Sequence, residues 1–395
     1  MDGRSNYSLF TGLNLVFLGL SVPAFGQDLP DTPRGTKLPD LPVTVPMELH
    51  GVYPVVTASV NGQGSYRFLV DTGAAGCGRI NALPAERLKL KEVGEVITGD
   101  PSGRHEETAK RVGVESISLG GAVFSDLAML RHDNRGIMDQ GREGIDGILG
   151  FGLFHDCLVT FDYPNRKLII EHGVLPVPDG RSIFAFRSPH GIPEIPLRIG
   201  ELEVDADIDS GSMGSVSIPQ TVASKLKFNS DPVVVGKAST GLNEFEIREA
   251  TLDGAVQLGT YVIPNPVVAV YDIFPRANIG GQFLQEFSIA LDQRNQRVRF
   301  RRDGDQPIAI RPRVRVGVMM KPAAGGLKVD SIVPRSPAEK AGILPGDIIA
   351  RVNGACAEEL GLEGVRQLFS TPNPIKLSVD RMGEQLELTV TPSAD

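Results

Sequence analysis

Two tripeptides hold the chemistry open to this sequence. Asp71-Thr72-Gly73 follows the apolar run Phe68-Leu69-Val70, and Asp209-Ser210-Gly211 follows Ala206-Asp207-Ile208. Taken singly, an Asp-Thr/Ser-Gly at a strand end is ordinary turn chemistry, because its side chains bond nearby backbone and Gly accepts positive φ. A matched pair is different. Two carboxyls brought close together cannot both ionise, so they share one proton near the working pH and can act as acid and base.

The elements around the tripeptides repeat. Asn61 to Gly76 (NGQGSYRFLVDTGAAG) aligns without a gap to Ile199 to Gly214 (IGELEVDADIDSGSMG), which sets Asp71 on Asp209. Ser116 to Leu130 then matches Val256 to Val270, and Gly147 to Ile170 matches Asn278 to Phe300. This is one duplication, its period far above that of repeat arrays. Each copy is rich in period-2 apolar residues with Gly turns, so each should fold as a small β-lobe. Two such lobes can bring their Asp residues together across a pseudo-twofold axis. Each copy also carries a later stretch, Ile148-Leu149-Gly150 or Asn278-Ile279-Gly280, whose Gly would let another backbone approach closely.

On VDTGA (Val70 to Ala74), IDSGS (Ile208 to Ser212), GILG (Gly147 to Gly150) and NIGG (Asn278 to Gly281), the sequence resembles the pepsin-like and retropepsin-like aspartic peptidases, over about Leu41 to Phe300. The resemblance implies a mainly β, bilobal pepsin-like fold with Asp71 and Asp209 as the catalytic dyad. It implies that Thr72 and Ser210 tie the two loops together by hydroxyl hydrogen bonds and that Gly73 and Gly211 let them abut. The apolar-apolar-Gly stretches would back the loops, although the second begins with Asn278. The first lobe's flap would be the polar segment Thr98 to Lys110, which contains no Tyr. One carboxylate would take a proton from a water attacking the peptide carbonyl, and the protonated partner would polarise the carbonyl oxygen.

The remaining sequence excludes rival chemistries. Six His residues form no H-E-x-x-H, no G-x-S-x-G is present, and Gly147 to Gly152 has the wrong spacing for a dinucleotide loop. Neither a metal nor a cofactor is expected. The 40 basic against 48 acidic side chains leave a net charge of −8, so no nucleic-acid footprint is expected. Three cysteines (Cys77, Cys157, Cys356) are too few for a disulfide scaffold. The 45 Gly, 29 Pro and absent Trp fit many short strands and turns.

At the N-terminus, Arg4 precedes an apolar stretch from Leu9 to Val22 that ends in Ala24 and Gly26. That is the outline of a secretory signal cleaved before Gln27, the alternative being an uncleaved anchor. The protein is therefore expected to be exported, periplasmic or secreted, with no integral membrane span in the mature chain. Pro30, Pro33, Pro39, Pro42 and Pro46 read as an extended, unpacked linker.

From about Pro307 the duplication stops. Gly326-Leu327-Lys328-Val329, Ser336 to Gly342 and Pro345-Gly346-Asp347-Ile348-Ile349 resemble a PDZ domain of the type found in bacterial exported proteases. Ser336 reads as an N-cap before Pro337 at the first helical position, and Gly342 as the closing residue. Asn353-Gly354 is a hairpin signal, and a second helix should span about Leu362 to Phe369. The resemblance implies peptide binding by strand addition, with the terminal carboxylate held near Val316, Gly317, Val318 and Met319. The domain could instead pack on the lobes or dimerise.

The expected organisation is a signal over 1–26, a linker over 27–45, protease lobes over 46–175 and 176–303, and a small α+β PDZ domain over 304–395. The expected activity is that of an aspartic endopeptidase acting on polypeptides, with a C-terminal peptide as a further PDZ ligand. The alternative is a non-catalytic peptide-binding scaffold on a degenerate protease fold.

Overall fold

The computed structural model describes residues 31–99, 106–132, 144–229, 231–239, 244–304, 308, 310 and 314–393. The expected signal segment lies outside them. Among the described residues no helix is long and apolar enough to cross a membrane.

The chain is mainly β. In the first lobe, strand Tyr53–Val60 turns at Asn61-Gly62 into strand Gln63–Asp71. Both turn residues have positive φ (53° and 68°), the pairing that a tight hairpin between right-twisted strands requires. The strand's buried end, Phe68 to Asp71, is flanked in parallel by Gly147–Gly150, with Gly150 opposite Asp71. In the second lobe Leu202–Asp209 is flanked in the same way by Ala277–Gly280, with Gly280 opposite Asp209. Gly78–Asn81 and Val216–Pro219 run antiparallel to these flanking strands in their respective lobes. The aligned sequence pieces therefore hold equivalent places.

A six-stranded sheet joins the lobes. Its two middle strands, Leu158–Asp162 and Ser288–Asp292, pair antiparallel with Thr160 opposite Ala290. They come from equivalent positions of the two copies, so the pseudo-twofold axis passes between them. Each is followed by the same turn: Asp162 accepts from the Asn165 side chain at 3.0 Å, and Asp292 from that of Asn295 at 2.9 Å. Alternate residues Val159, Phe161, Leu168 and Ile170, with Ile289, Leu291, Val298 and Phe300, enter one core shared by both lobes. Burying each such side chain contributes about 1.5–3 kcal/mol.

The segment expected as an unpacked linker over 27–45 is packed where it is described. Gly35–Lys37 pairs with Val123 to Ser125, and Val43–Pro46 forms the outer strand of the joining sheet against Lys167 to Ile170. Val43 and Val45 are buried while Thr44 faces out. The prolines keep this segment extended, and extended chain with alternating valines serves as an edge strand. The first lobe's packing thus begins before residue 46.

The C-terminal unit has its own core, from Val316 and Met320 through Val379 and Val390. The Ser336 hydroxyl caps helix Pro337–Lys340, accepting from the Glu339 N–H, and Gly342 follows at φ 77°. Asn353 and Gly354, at φ 50° and 83°, turn strand Ile348–Val352 into Ala355–Cys356. The second helix runs to Phe369 after Gly361, as expected; a short helical stretch from Ala357 precedes it across that non-helical glycine.

Candidate active site

The two loops meet at the ends of the strands that carry them. Thr72 Oγ1 donates to the Ile208 carbonyl at 2.6 Å and accepts from the Ser210 N–H at 3.0 Å. Ser210 Oγ reciprocates, donating to the Val70 carbonyl at 2.8 Å and accepting from the Thr72 N–H at 2.9 Å. Four hydrogen bonds thus lock the loops in a symmetric grip. All four polar groups are buried, so breaking any one would leave an unsatisfied partner.

Each carboxyl is oriented by its own loop. The Gly73 N–H donates to Asp71 Oδ1 at 2.8 Å, and the Gly211 N–H to Asp209 Oδ1 at 2.9 Å. The charge of Asp71 bears directly on Asp209, whose carboxyl lies where the two loops meet. Gly73 and Gly211 permit this approach. A Cβ on Gly73 would lie 2.5 Å from Asp209 Cγ, and one on Gly211 would lie 2.3 Å from Asp71 Oδ2. Asp71, Asp209, Thr72, Gly73, Ser210 and Gly211 therefore converge on one point.

The electrostatics follow from burial. Asp209 is held well above the ordinary carboxyl range, first by desolvation and then by the charge of Asp71, while a hydrogen bond from Asn278 opposes both. Asp207, two residues earlier, is pushed up to about 6, mainly by burial, against the pull of Arg276. Arg276 Nε bridges Asp207 Oδ2 at 3.1 Å and Glu194 Oε1 at 3.3 Å. Tyr163 is fully buried beside Ser210, and desolvation followed by the charges of Asp209 and Asp71 pushes its phenol up, so it stays neutral. Cys77 is buried, and desolvation raises its thiol to about 12, which fits a small core side chain.

Sequence reading missed three contributors: Asn278 on Asp209, the Asp207–Arg276–Glu194 cluster, and Tyr163. Only Asn278 left a signal, as a polar residue opening an otherwise apolar stretch. The two apolar-apolar-Gly stretches do back the loops. A Cβ on Gly150 would meet the Gly76 and Ala74 carbonyl oxygens at 2.6 and 2.8 Å, and one on Gly280 the Gly214 carbonyl oxygen at 2.5 Å. Backbone cannot swing aside as a side-chain tip can. Gly150→Ala should therefore cost about 1–3 kcal/mol of stability, read as a lower urea midpoint at unchanged slope.

The hairpin arms over the first lobe are Glu92–Gly99 and Glu106–Leu119, with 100–105, the tip of the expected flap, outside the described residues. Among the described residues no group of His, Cys, Asp and Glu could hold a metal ion. In the C-terminal unit Val316 is buried and its carbonyl accepts from the Ala338 N–H at 2.9 Å. Gly317, at φ 78°, accepts from the Val333 N–H at 2.9 Å, and Val318 and Met319 are half-buried at the start of edge strand Val318–Ala323.

Comparison with known proteins meets this geometry at two places. Residues 56–153 match the family model described as aspartyl protease, a span that holds the Asp71 loop and its backing stretch. Residues 328–380 match the model of a PDZ domain. No curated protein matches the chain. The sequence thus carries an aspartyl protease domain, matched over 56–153, and a C-terminal PDZ domain, matched over 328–380.

Proposed function

We propose that the protein is an exported aspartic endopeptidase in which Asp71 and Asp209 together activate a water. The observation that carries this reading is the pair of buried carboxyls on loops held together by reciprocal Thr72 and Ser210 contacts. Two such groups hold one proton between them. The ionised member removes a proton from water as its oxygen bonds to the peptide carbonyl carbon. The protonated member donates to the carbonyl oxygen. Collapse of the tetrahedral adduct breaks the C–N bond, and the proton taken from water passes to the leaving amine. Export is supported by the Arg4-led apolar stretch that ends at Ala24 and Gly26.

The PDZ domain would recruit substrate or a partner. Its strand Val318–Ala323 lies at the sheet edge, the position that strand addition uses. Carboxylate capture at Val316, Gly317, Val318 and Met319 would fall to their N–H groups, because a carboxylate only accepts and the backbone N–H is the donor these residues offer. Arg315, next to this loop, pairs with Glu249 of the second lobe, a contact through which peptide binding could bear on the cleft.

The test is cleavage of a peptide library by the purified protein from acid to neutral pH, with products read by mass spectrometry and a transition-state-analogue inhibitor as control. Inhibitor-sensitive cleavage is expected. Binding of peptides without cleavage at any pH would favour the non-catalytic scaffold.

A further inference from the structure

Beside the dyad the two lobes fill equivalent positions with opposite chemistry. In the first lobe Leu69 lies two residues before Asp71 and is paired with Val55 on one side and Ile148 on the other, all three buried. In the second lobe Asp207 lies two residues before Asp209 and is paired with Glu194 and Asn278, also buried. Alternate residues of a strand share a face, and so do residues paired across a sheet. Glu194, Asp207 and Asn278 therefore lie on the face that carries Asp209. Arg276, just before Ala277–Gly280, completes this patch. Its Nε meets Asp207 Oδ1 at 3.3 Å, Asp207 Oδ2 at 3.1 Å and Glu194 Oε1 at 3.3 Å. Arg187, which pairs with Asp205 at 2.6 Å, approaches the other oxygen of Glu194 at 3.9 Å.

Replacing a buried ion cluster by apolar side chains, which the first lobe has at these places, is often neutral or stabilising. Fold stability therefore does not account for the charges. What they supply is a guanidinium held in one place. Among the described residues its contacts run through Nε alone, and Arg276 is half-buried, so the Nη groups are left for solvent or a ligand. We propose that Arg276 is a specificity-determining residue that binds an acidic side chain, Asp or Glu, at one of the two substrate positions flanking the scissile bond. This rests on the proteolytic reading above. The planar fork of the two Nη groups matches a carboxylate, and anchoring at Nε removes much of the cost of ordering the arginine.

Reach and charge agree with this assignment. Two residues along a strand span about 7 Å, so the patch lies one side chain's length from the dyad, and the charge of Asp207 is felt at Asp209. Burial pushes Asp207 up to about 6. At about pH 5.5 it is mostly protonated, while a substrate carboxyl, ordinarily near pKa 4, is ionised. The incoming anion then meets Arg276 with Glu194 as its counter-charge, and Glu194 is shared with Arg187. A substrate Lys or Arg would meet the half-exposed guanidinium first and be repelled.

The test is a peptide panel with Glu, Gln, Leu or Lys at each of the two positions flanking the central bond, assayed with the full chain at about pH 5.5. Wild type should favour Glu over Gln at one position by about tenfold or more in kcat/KM. Gln keeps the shape and lacks the charge. Arg276→Met should bring that ratio to about one, and Arg276→Lys, a point charge without the fork, should leave it in between. Arg276→Met strands two buried acids. Should it fail to fold by circular dichroism, the triple variant Glu194→Val, Asp207→Leu, Arg276→Met, which copies Val55 and Leu69, carries the comparison and should also lose the ratio. A ratio between substrates is untouched by a change in the dyad's own efficiency. Indifference to charge at both positions, a preference for Lys, or a Glu-to-Gln ratio that survives the loss of Arg276 would overturn the proposal. If nothing is cleaved, the proteolytic reading fails. Calorimetry with the same peptides carrying a reduced, uncleavable central bond then reads the Glu-to-Gln ratio as affinity and decides the role of Arg276, absence of binding counting against it.

Discussion

Asp71→Asn and Asp209→Asn should each lower kcat/KM for peptide cleavage by about 10²–10⁴-fold and at the same time stabilise the fold at neutral pH. The activity loss follows because an amide can neither accept the proton from water nor pass one to the leaving amine. The stability gain follows from linkage. Asp209 sits well above its ordinary value of 3.8 because burial and Asp71 disfavour its charge. An acid that holds its proton more tightly when folded supports the fold fully below its unfolded pKa, and that support is lost as pH rises through the folded value. At neutral pH the wild type carries this penalty; Asp209→Asn removes it, and Asp71→Asn removes the part that the charge of Asp71 imposes. Each kcal/mol recovered should appear as about 2–4 °C in Tm, and the gap between variant and wild type should close towards acid pH.

The substituted loops can accommodate the amide. In Asp209→Asn, Oδ1 still accepts the Gly211 N–H, and Asn278 can turn its Oδ1, which has no other hydrogen-bond partner, towards the new NH₂. Thermal melts across the pH range together with cleavage assays check both parts. Cleavage within tenfold of wild type in either variant would remove that residue from the dyad.

Gly211→Ala and Gly73→Ala should lower activity by about 10²-fold, for a purely steric reason. Neither glycine has positive φ, so alanine is acceptable to the backbone and even favoured by chain entropy. The added methyl is the whole perturbation. On Gly211 it would sit 2.3–2.5 Å from all three carboxyl atoms of Asp71, and on Gly73 it would sit 2.5–2.9 Å from those of Asp209. These carboxyls are not free tips, because each is fixed by a loop N–H. The carboxyls must therefore separate or the Thr72–Ser210 grip must open. A displacement of about 1 Å in a reacting group costs about 10²-fold in rate, and overpacking a buried site costs about 1–3 kcal/mol. Steady-state kinetics paired with urea unfolding will show both. An alanine variant with wild-type kcat/KM would mean that the loops do not work at this separation.

Much of the site can be read from local sequence. The Asp-Thr-Gly and Asp-Ser-Gly turns, the two backing glycines and the Ser336 cap are encoded within a few residues, and the duplication relates the two lobes. The Val43–Pro46 strand was harder to see. Its prolines argue for an open linker, and its pairing partner lies at Lys167 to Ile170, so only long-range contact tells a strand from a tether. Asn278 was visible as an oddity, but its target lies on another strand. Gly361 marked the start of the second PDZ helix correctly, and only the short helical stretch before it, from Ala357, went unread.

The sequence alone determined the chemistry available, that of two acids on matching turns of a repeated unit, because turn preference and strand periodicity act between near neighbours. The tertiary structure decided what those acids can do. The loops that grip each other are 138 residues apart in the chain, and the charge balance at Asp209 sums contributions from Asp71, Asn278, Asp207 and burial itself. Desolvation and Coulomb interaction depend on distance in space, and no spacing along the chain encodes them.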